Sequence, residues 1–239
     1  FYTYDLVGRR MSITNPCQTT ELRYNRQNYL TYVKDGNGNE VRRTYDHMGN
    51  LTAYFPPNQG ADGTAWMYRY DFFDRLIEAR DPLGNSWKQE RNLAGDVLSK
   101  TTPEGHVTRY EYDSDSRKLR TIYPDGSVER NFYDSNGNLV KKVRPVNYHR
   151  ETDDGVGSVY TYDAMDRLLQ TTDEDGHLIA KNTYDAAGNL AKEQNGEGAT
   201  TYHTYDLTGN KTATWSPLEK DEQGEIWYRM VQFVYDTEG

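Results

Sequence analysis

The feature that most restricts this chain is a repeat. A Tyr-Asp dipeptide returns at Tyr4-Asp5, Tyr45-Asp46, Tyr70-Asp71, Tyr112-Asp113, Tyr133-Asp134, Tyr162-Asp163, Tyr184-Asp185, Tyr205-Asp206 and Tyr235-Asp236, and two degenerate copies, Tyr24-Asn25 and Arg91-Asn92, fill the gaps. Successive spacings are 20, 21, 25, 21, 21, 21, 29, 22, 21 and 30 residues. A self-similar period of this length means a stack of small supersecondary units, none of which can bury a face alone. The chain opens and closes inside the motif, which reads as a piece of a longer array.

The motif is Tyr-Asp-x-x-Gly-Asn/Arg-Leu, seven positions long. Position five is Gly at Gly8, Gly49, Gly95, Gly137, Gly188, Gly209 and Gly239, and Asn28, Asp74, Ser116 or Asp166 elsewhere. Gly, Asn and Asp tolerate a left-handed backbone, so position five is expected there. Asp at position two accepts backbone amides in an Asx turn, and Asn25 and Asn92 serve the same purpose. On that reading the carboxylate charge is immaterial. A second turn follows in each repeat, marked by Gly38, Gly84, Gly105, Gly126, Gly176 and Gly198, 14 residues after the motif's first residue. Around these lie Asp81-Pro82-Leu83-Gly84, Thr102-Pro103-Glu104-Gly105 and Pro124-Asp125-Gly126, with Pro presetting φ and Gly supplying a positive one.

Between turns the apolar pattern has period two, which means strand. Trp66, Tyr68 and Tyr70 share a face while Met67 and Arg69 take the other; Tyr2/Tyr4, Tyr110/Tyr112, Tyr160/Tyr162 and Phe233/Tyr235 repeat the pattern. The unit is a β-hairpin, repeated about ten times. The expected fold class is all-β: tandem hairpins forming one continuous, curved antiparallel sheet over residues 1–239, with no linker or composition step dividing it. An open strip of that kind would be elongated, and its end strands would invite edge-to-edge pairing. Three long spacings place extra residues in Pro56 to Thr64, Arg144 to Ser158 and Ser216 to Glu225, read as second-turn loops along one rim. Such loops should be removable at small cost.

Composition now makes sense. With 35% hydrophobic residues and a mean hydropathy of -1.01, the chain resembles a disordered one, yet it is 13% aromatic with 21 tyrosines, ten of them at motif position one. Disordered chains are poor in aromatics. A thin sheet needs less apolar content than a solid core, and tyrosine suits it if the ring packs while the hydroxyl stays in water. The 28 Lys and Arg against 37 Asp and Glu give 28 − 37 = -9, with no basic run of the kind a phosphate backbone requires. Nucleic acid is not expected as a partner. Cys17 is the single cysteine, which excludes an internal disulfide and a Cys-rich metal site. No apolar run approaches the ~20 residues of a membrane span, and no signal-peptide pattern is present.

The same residues admit sharper chemistries. Asp35-Gly36-Asn37-Gly38-Asn39-Glu40 and Asp173-Glu174-Asp175-Gly176 carry closely spaced oxygens that suit calcium, but lack the position-12 Glu and flanking helices of an EF-hand and coincide with second turns. No metal or other cofactor is assigned. A catalytic carboxylate pair would be unique, whereas the motif aspartates recur as turn formers, and His47, His106, His149, His177 and His203 have no partner spacing. No catalytic residue is assigned, and no enzyme is expected. Four tryptophans, Trp66, Trp87, Trp215 and Trp227, could stack on sugar rings; Trp66 and Trp227 lie near long loops and are the candidate ligand-facing aromatics.

With these motifs in hand, the chain resembles the YD-repeat family, which includes the Rhs polymorphic toxins, wall-associated toxins of Gram-positive bacteria, cocoon components of insecticidal Tc toxins, and animal teneurins. The resemblance covers essentially all 239 residues. It implies a hairpin strip that winds into a segment of a spiral hollow shell around a C-terminal passenger, in an exported bacterial protein that is secreted or on the cell surface. Neighbouring repeats and the passenger are then the partners, with cell-surface carbohydrate binding or adhesion as the alternative function. Asp81-Pro82 is superficially similar to the self-cleavage signature of shell-type relatives, but its mid-array position reads as a turn.

Overall fold

The computed structural model describes residues 1–57, 65–220 and 226–235. Its described residues form strands, turns and one 3-10 turn, in two compact units, Phe1–Tyr110 and Glu111–Gly239. The first unit holds β1 (Tyr2–Tyr4), β2 (Arg10–Thr14), β3 (Thr19–Tyr24), β4 (Leu30–Lys34), β5 (Glu40–Tyr45), β6 (Leu51–Phe55), β7 (Trp66–Tyr70), β8 (Leu76–Arg80), β9 (Ser86–Arg91), β10 (Val97–Thr101) and most of β11 (Val107–Tyr112). Each pairs antiparallel with the next. The second unit holds β12 (Lys118–Ile122), β13 (Val128–Tyr133), β14 (Leu139–Val143), the small pair β15 (Tyr148–His149) and β16 (Asp154–Gly155), then β17 (Ser158–Tyr162), β18 (Leu168–Thr172), β19 (Leu178–Tyr184), β20 (Leu190–Asn195), β21 (Thr200–Tyr205), β22 (Lys211–Lys220) and β23 (Ile226–Gln232). Apart from β15–β16, these also pair in sequence order. The all-β hairpin-repeat reading is therefore what the chain adopts.

Both turns of a repeat use one design. In the motif turn Gly8 N donates to the Asp5 carbonyl and Asp5 N to the Arg9 carbonyl; in the second turn Gly38 N donates to Asp35 O and Asp35 N to Asn39 O. These bonds close a three-residue loop built from a type I turn and a left-handed residue. Position five has positive φ in every described copy, including Asn28 (69°), Asp74 (59°), Ser116 (61°) and Asp166 (60°). The motif copy at the C-terminus is described only as far as Tyr235; Asp236 and Gly239 lie outside the described residues.

A β-bulge follows the motif turn, on the strand that leaves it. Tyr24 pairs with Leu30 while Arg23 pairs with Tyr32, so Thr31 is passed over, and the same shift recurs at Tyr45, Tyr70, Tyr133, Tyr162, Tyr184 and Tyr205. Across second turns the ladder is short: β4 and β5 pair only from Tyr32↔Arg42 to Lys34↔Glu40. The Leu30 carbonyl thus lies beyond the ladder's end.

Burial matches a thin sheet. The hydrophobic side chains that are fully enclosed among the described residues are Ala53, Val128, Val143 and Ala213, and Ser99, Thr121, Asn131, Thr171 and Thr200 are equally enclosed. Most other strand residues are half-buried, alternating with exposed ones, as in β7, where Trp66, Tyr68 and Tyr70 are half-buried and Met67 and Arg69 exposed.

Two expectations about the long spacings need correction. Ser216 to Lys220 is not loop but an extension of β22, paired with β23 from Ser216↔Arg229 to Lys220↔Ile226. Pro217 sits at a register shift before Glu219, and a bulge is where a strand accepts proline. Arg144 to Ser158 contains a 3-10 turn, Pro145–Asn147, and the β15–β16 pair, so it is a folded insertion. Residues 58–64 and 221–225, which hold the rest of the expected loops, lie outside the described residues.

Candidate functional site: motif turns, folded insertion and aromatic faces

The motif residues form a repeated connection between hairpins. Asp5 Oδ1 accepts Val7 N (3.0 Å) and Arg9 N (2.9 Å), and the same pair of amides is bound at Asn25, Asp46, Asp71, Asp113, Asp134, Asp163 and Asp206. At Asp185 the Asn189 amide is bound at 2.9 Å. The second oxygen is where charge enters, contrary to the sequence reading. Arg9, Arg75, Arg117 and Arg167, all at position six, form ion pairs with Asp5, Asp71, Asp113 and Asp163. Where position six is Asn, its Nδ2 donates instead, as Asn189 does to Asp185 at 3.1 Å. In the degenerate copy the partners trade places, and Asn92 Nδ2 donates to Asp96 Oδ2 at 2.8 Å.

These donors hold the motif carboxyls below the usual range. At Asp163 the Arg167 side-chain bond is the main cause, followed by the Arg167 amide. At Asp71 desolvation pulls upward and is outweighed by the Arg75 amide and guanidinium and the Phe73 amide. Asp206 falls to about 2, led by the Thr208 hydroxyl and the Asn210 amide. Each carboxylate is consumed as a turn acceptor, which leaves it unsuited to take up or give a proton near neutral pH.

The tyrosine hydroxyl is not left in water. Tyr45 donates to Leu30 O (3.1 Å), Tyr70 to Leu51 O (3.0 Å), Tyr133 to Lys118 O (3.1 Å), Tyr162 to Leu139 O (3.0 Å), Tyr184 to Leu168 O (3.0 Å), Tyr205 to Leu190 O (2.9 Å) and Tyr235 to Lys211 O (2.9 Å). The acceptor is always position seven of the preceding repeat, the carbonyl that the short inter-repeat ladder fails to reach. Tyrosine thereby extends the ladder with its side chain.

Position six reaches forward as well. Arg9, Arg117 and Arg167 lie 5.3, 5.4 and 4.5 Å from the ring centroids of Tyr24, Tyr133 and Tyr184, the tyrosines of the following repeats. Arg9 Nη1 donates to Asn28 Oδ1 (2.9 Å), Asn50 Nδ2 to Asp74 Oδ1 (2.7 Å) and Asn138 Nδ2 to Asp166 Oδ1 (2.7 Å). Asn28, Asp74 and Asp166, non-glycines at left-handed position five, are thus each matched to a donor from the repeat before. Sequence reasoning missed position six, although its restriction to donors in eight copies was the available signal.

The insertion is pinned to the second unit. Asp153, itself at φ 52°, accepts Arg120 Nε (2.9 Å), Arg130 Nε (3.3 Å) and the Tyr148 hydroxyl (2.8 Å), while Lys141 pairs with Asp154 at 2.8 Å. Its carboxyl is held down chiefly by Arg120, against desolvation. Gly157 lies so close to the Lys142 carbonyl that a Cβ would collide with it, and Val143 beneath is fully buried. The insertion is part of the packing, not a removable loop.

The calcium candidates are turns. Asp35 Oδ1 accepts Asn37 N and Asn39 N, and its Oδ2 accepts Asn39 Nδ2. Asp173, Asp175 and His177 gather within 4.8 Å, but Asp173 already accepts both neighbouring amides and His177 Nδ1. Asp81 likewise accepts Leu83 N, Asn85 N and Asn85 Nδ2, an ordinary turn with Pro82 at its second position. Of the candidate aromatics, Trp66 is half-buried and stacks on Trp87 at 6.1 Å, whereas Trp227 is 62% exposed on β23. No helix among the described residues is long and apolar enough to cross a membrane.

Comparison with known proteins bears on the whole repeat. A family model described as Teneurin YD-shell matches residues 1–178. The tRNA3(Ser)-specific nuclease WapA of Bacillus spizizenii is 28% identical over 246 aligned residues, covering 99% of this chain and 8% of its own length. The probable deoxyribonuclease RhsB of Dickeya dadantii is 32% identical over 117 residues, covering 46% of this chain and 8% of its own. The matched stretch is therefore 8% of the length of either relative. The TcdB2-TccC3 crystal structure matches all of this chain and 18% of its own, at 15% identity and a TM-score of 0.45.

Proposed function

Since this chain belongs to the teneurin YD-shell family, we propose that it is a stretch of non-catalytic wall: one repeat array that helps enclose a C-terminal passenger in an exported bacterial toxin. The observation that carries this reading is where the conserved-looking chemistry goes. In the described copies Tyr, Asp and position six are spent largely on closing the turn and joining a hairpin to the next, through bonds such as Arg167 to Asp163 and Tyr205 to Leu190. A thin sheet built that way spans area with little mass, which suits an enclosure. The nuclease names belong to relatives of which this chain matches a small part, so such an activity is assigned to a passenger and not to this segment. Both compact units are read as one array, with secretion or surface display as its setting.

The test is protease protection in the intact parent protein. A cleavage site engineered into the passenger should be cut at least about tenfold more slowly there than in the passenger expressed alone, the population open to protease being small when the wall is closed. Equal rates would refute enclosure. A second reading, carbohydrate binding, rests on Trp227, which is 62% exposed, and less on Trp87, whose ring is stacked on Trp66. Trp66 supports it less, because its ring is already stacked.

A further inference from the structure

Asn-Gly pairs occur at Asn37-Gly38, Asn136-Gly137 and Asn195-Gly196. Such a pair can react with itself, because glycine has no Cβ to keep its amide nitrogen away from the preceding side chain. The turns treat the three pairs differently. At Asn37 and Asn136 the glycine is the left-handed residue, and its amide is a closing bond of the loop: Gly38 N to Asp35 O at 3.0 Å and Gly137 N to Asp134 O at 3.1 Å. Asn136 Nδ2 is held as well, by Asp166 Oδ1 at 2.8 Å. Asn195 instead opens its turn, which is closed by Asn195 N on Ala199 O (2.9 Å) and Gly198 N on Asn195 O (3.0 Å), so neither closing bond uses the Gly196 amide. Both Asn195 and Gly196 are exposed. Asn195 Oδ1 accepts Glu197 N at 3.1 Å and Ala199 N at 2.9 Å, two donors that draw electrons from Cγ and stand ready for a negative charge on that oxygen. The glycine is fixed by packing, since a Cβ on Gly196 would collide with the Leu178 carbonyl of β19.

We propose that Asn195 is a self-modification site, whose side-chain amide is displaced by the Gly196 nitrogen. Hydroxide takes the Gly196 amide proton, the nitrogen bonds to Asn195 Cγ, and the Glu197 and Ala199 amides hold the oxyanion that forms on Oδ1. The Cγ–Nδ2 bond then breaks, and Nδ2 takes a proton from water and leaves as ammonia. Water opens the resulting five-membered imide on either side of its nitrogen. Attack at Cγ gives aspartate; attack at the main-chain carbonyl of residue 195 gives the isoaspartyl form, in which the chain runs through Cβ and Cγ. Aspartate keeps the turn, because Asp35, Asp81 and Asp173 already fill the same place and bind the same two amides. The isoaspartyl form lengthens the main chain inside a three-residue loop, and so loosens the connection between β20 and β21.

Incubating the full 239-residue chain in mildly alkaline heavy-oxygen water, followed by digestion and peptide mass spectrometry, tests this. The heavy oxygen marks conversion during incubation, and chromatographic retention separates the aspartyl from the isoaspartyl peptide. Asn195 should convert at least about tenfold faster than Asn37 or Asn136, the factor set by breaking one ordinary hydrogen bond to free the glycine amide. An Asn195 that stays intact, or that converts no faster than the other two, would overturn the proposal. In urea all three pairs should convert at similar rates, and the same ranking there would equally overturn it, because the contrast would then lie outside the fold. Asn195→Asp should melt with the parent, whereas chain enriched in the isoaspartyl form should melt below it; a lower melt for Asn195→Asp would refute the account of the turn.

Discussion

Removing the hydroxyl of Tyr205 should cost more stability than removing that of Tyr184, although both stand at the same motif position. The Leu190 carbonyl accepts the Tyr205 hydroxyl at 2.9 Å, and this is its one side-chain donor among the described residues. The Leu168 carbonyl accepts Tyr184 at 3.0 Å and also Asn182 Nδ2 at 3.1 Å. Tyr205→Phe therefore leaves a part-buried acceptor without the bond that extends its ladder, a loss of about 1–1.5 kcal/mol. Tyr184→Phe leaves its acceptor served by Asn182 and should cost about 0.5 kcal/mol, near the low end for a single bond. Urea denaturation followed by far-UV circular dichroism measures both, and a calorimetric melt should place Tyr205→Phe lower by roughly 2–4 °C per kcal/mol lost. The control is the double variant Tyr184→Phe/Asn182→Ala, which should lose more than the sum of its single variants because only together do they strip the Leu168 carbonyl. Equal midpoints for Tyr184→Phe and Tyr205→Phe, or additive behaviour in the double variant, would refute the view that tyrosine works by satisfying the position-seven carbonyl.

Position five offers a second test. Gly188 has φ 94°, and a Cβ there would sit 3.3 Å from Arg167 Nη1; Gly188→Val should destabilise by about 1–3 kcal/mol. Gly188→Asn should be nearly neutral, because it recreates the Arg9–Asn28 pairing, and indistinguishable melts for the two would discard this account. A third concerns the insertion: Asp153→Ala removes the acceptor that Arg120, Arg130 and Tyr148 share, leaving Arg120 to Glu111 and Arg130 to backbone carbonyls, and should cost about 1–2 kcal/mol, allowing for partial exposure. Excising residues 146–156 should lower the urea midpoint further by uncovering Val143, and an unchanged midpoint would mean that the insertion merely rests on the sheet.

The parts of the fold legible in the sequence are those fixed within a few residues. Position five needs a left-handed residue because a three-residue loop closes there, and Gly, Asn and Asp announce it wherever it falls. The Asx role of position two and the period-two strands are local in the same way. What escaped depends on register between strands. The Tyr205–Leu190 bond joins residues 15 apart, and it exists only because a bulge and a short ladder leave that carbonyl unpaired. The Arg120–Asp153 pair spans 33 residues and depends on how the insertion lies over β12 and β13. The long spacing at Ser216 to Glu225 read as loop because spacing counts residues and not pairs, and only the pairing of β22 with β23 shows that Ser216 to Lys220 is strand.

Where position six reaches forward, it makes a repeat specific for the one that follows it. Arg9 is matched to Asn28, Asn50 to Asp74, Arg117 to Gly137 and Asn138 to Asp166. Repeats are therefore not interchangeable cassettes: a duplication that set Arg75 before Gly95 twice over would keep its junctions, whereas one that put Tyr29 ahead of Asp74 would press a ring into a carboxylate that expects an amide. Recombination within such an array is filtered at these junctions by a two-residue rule. Arrays of this kind should consequently lengthen by copying neighbouring pairs, and anyone grafting repeats between proteins should move position six together with the position five it faces.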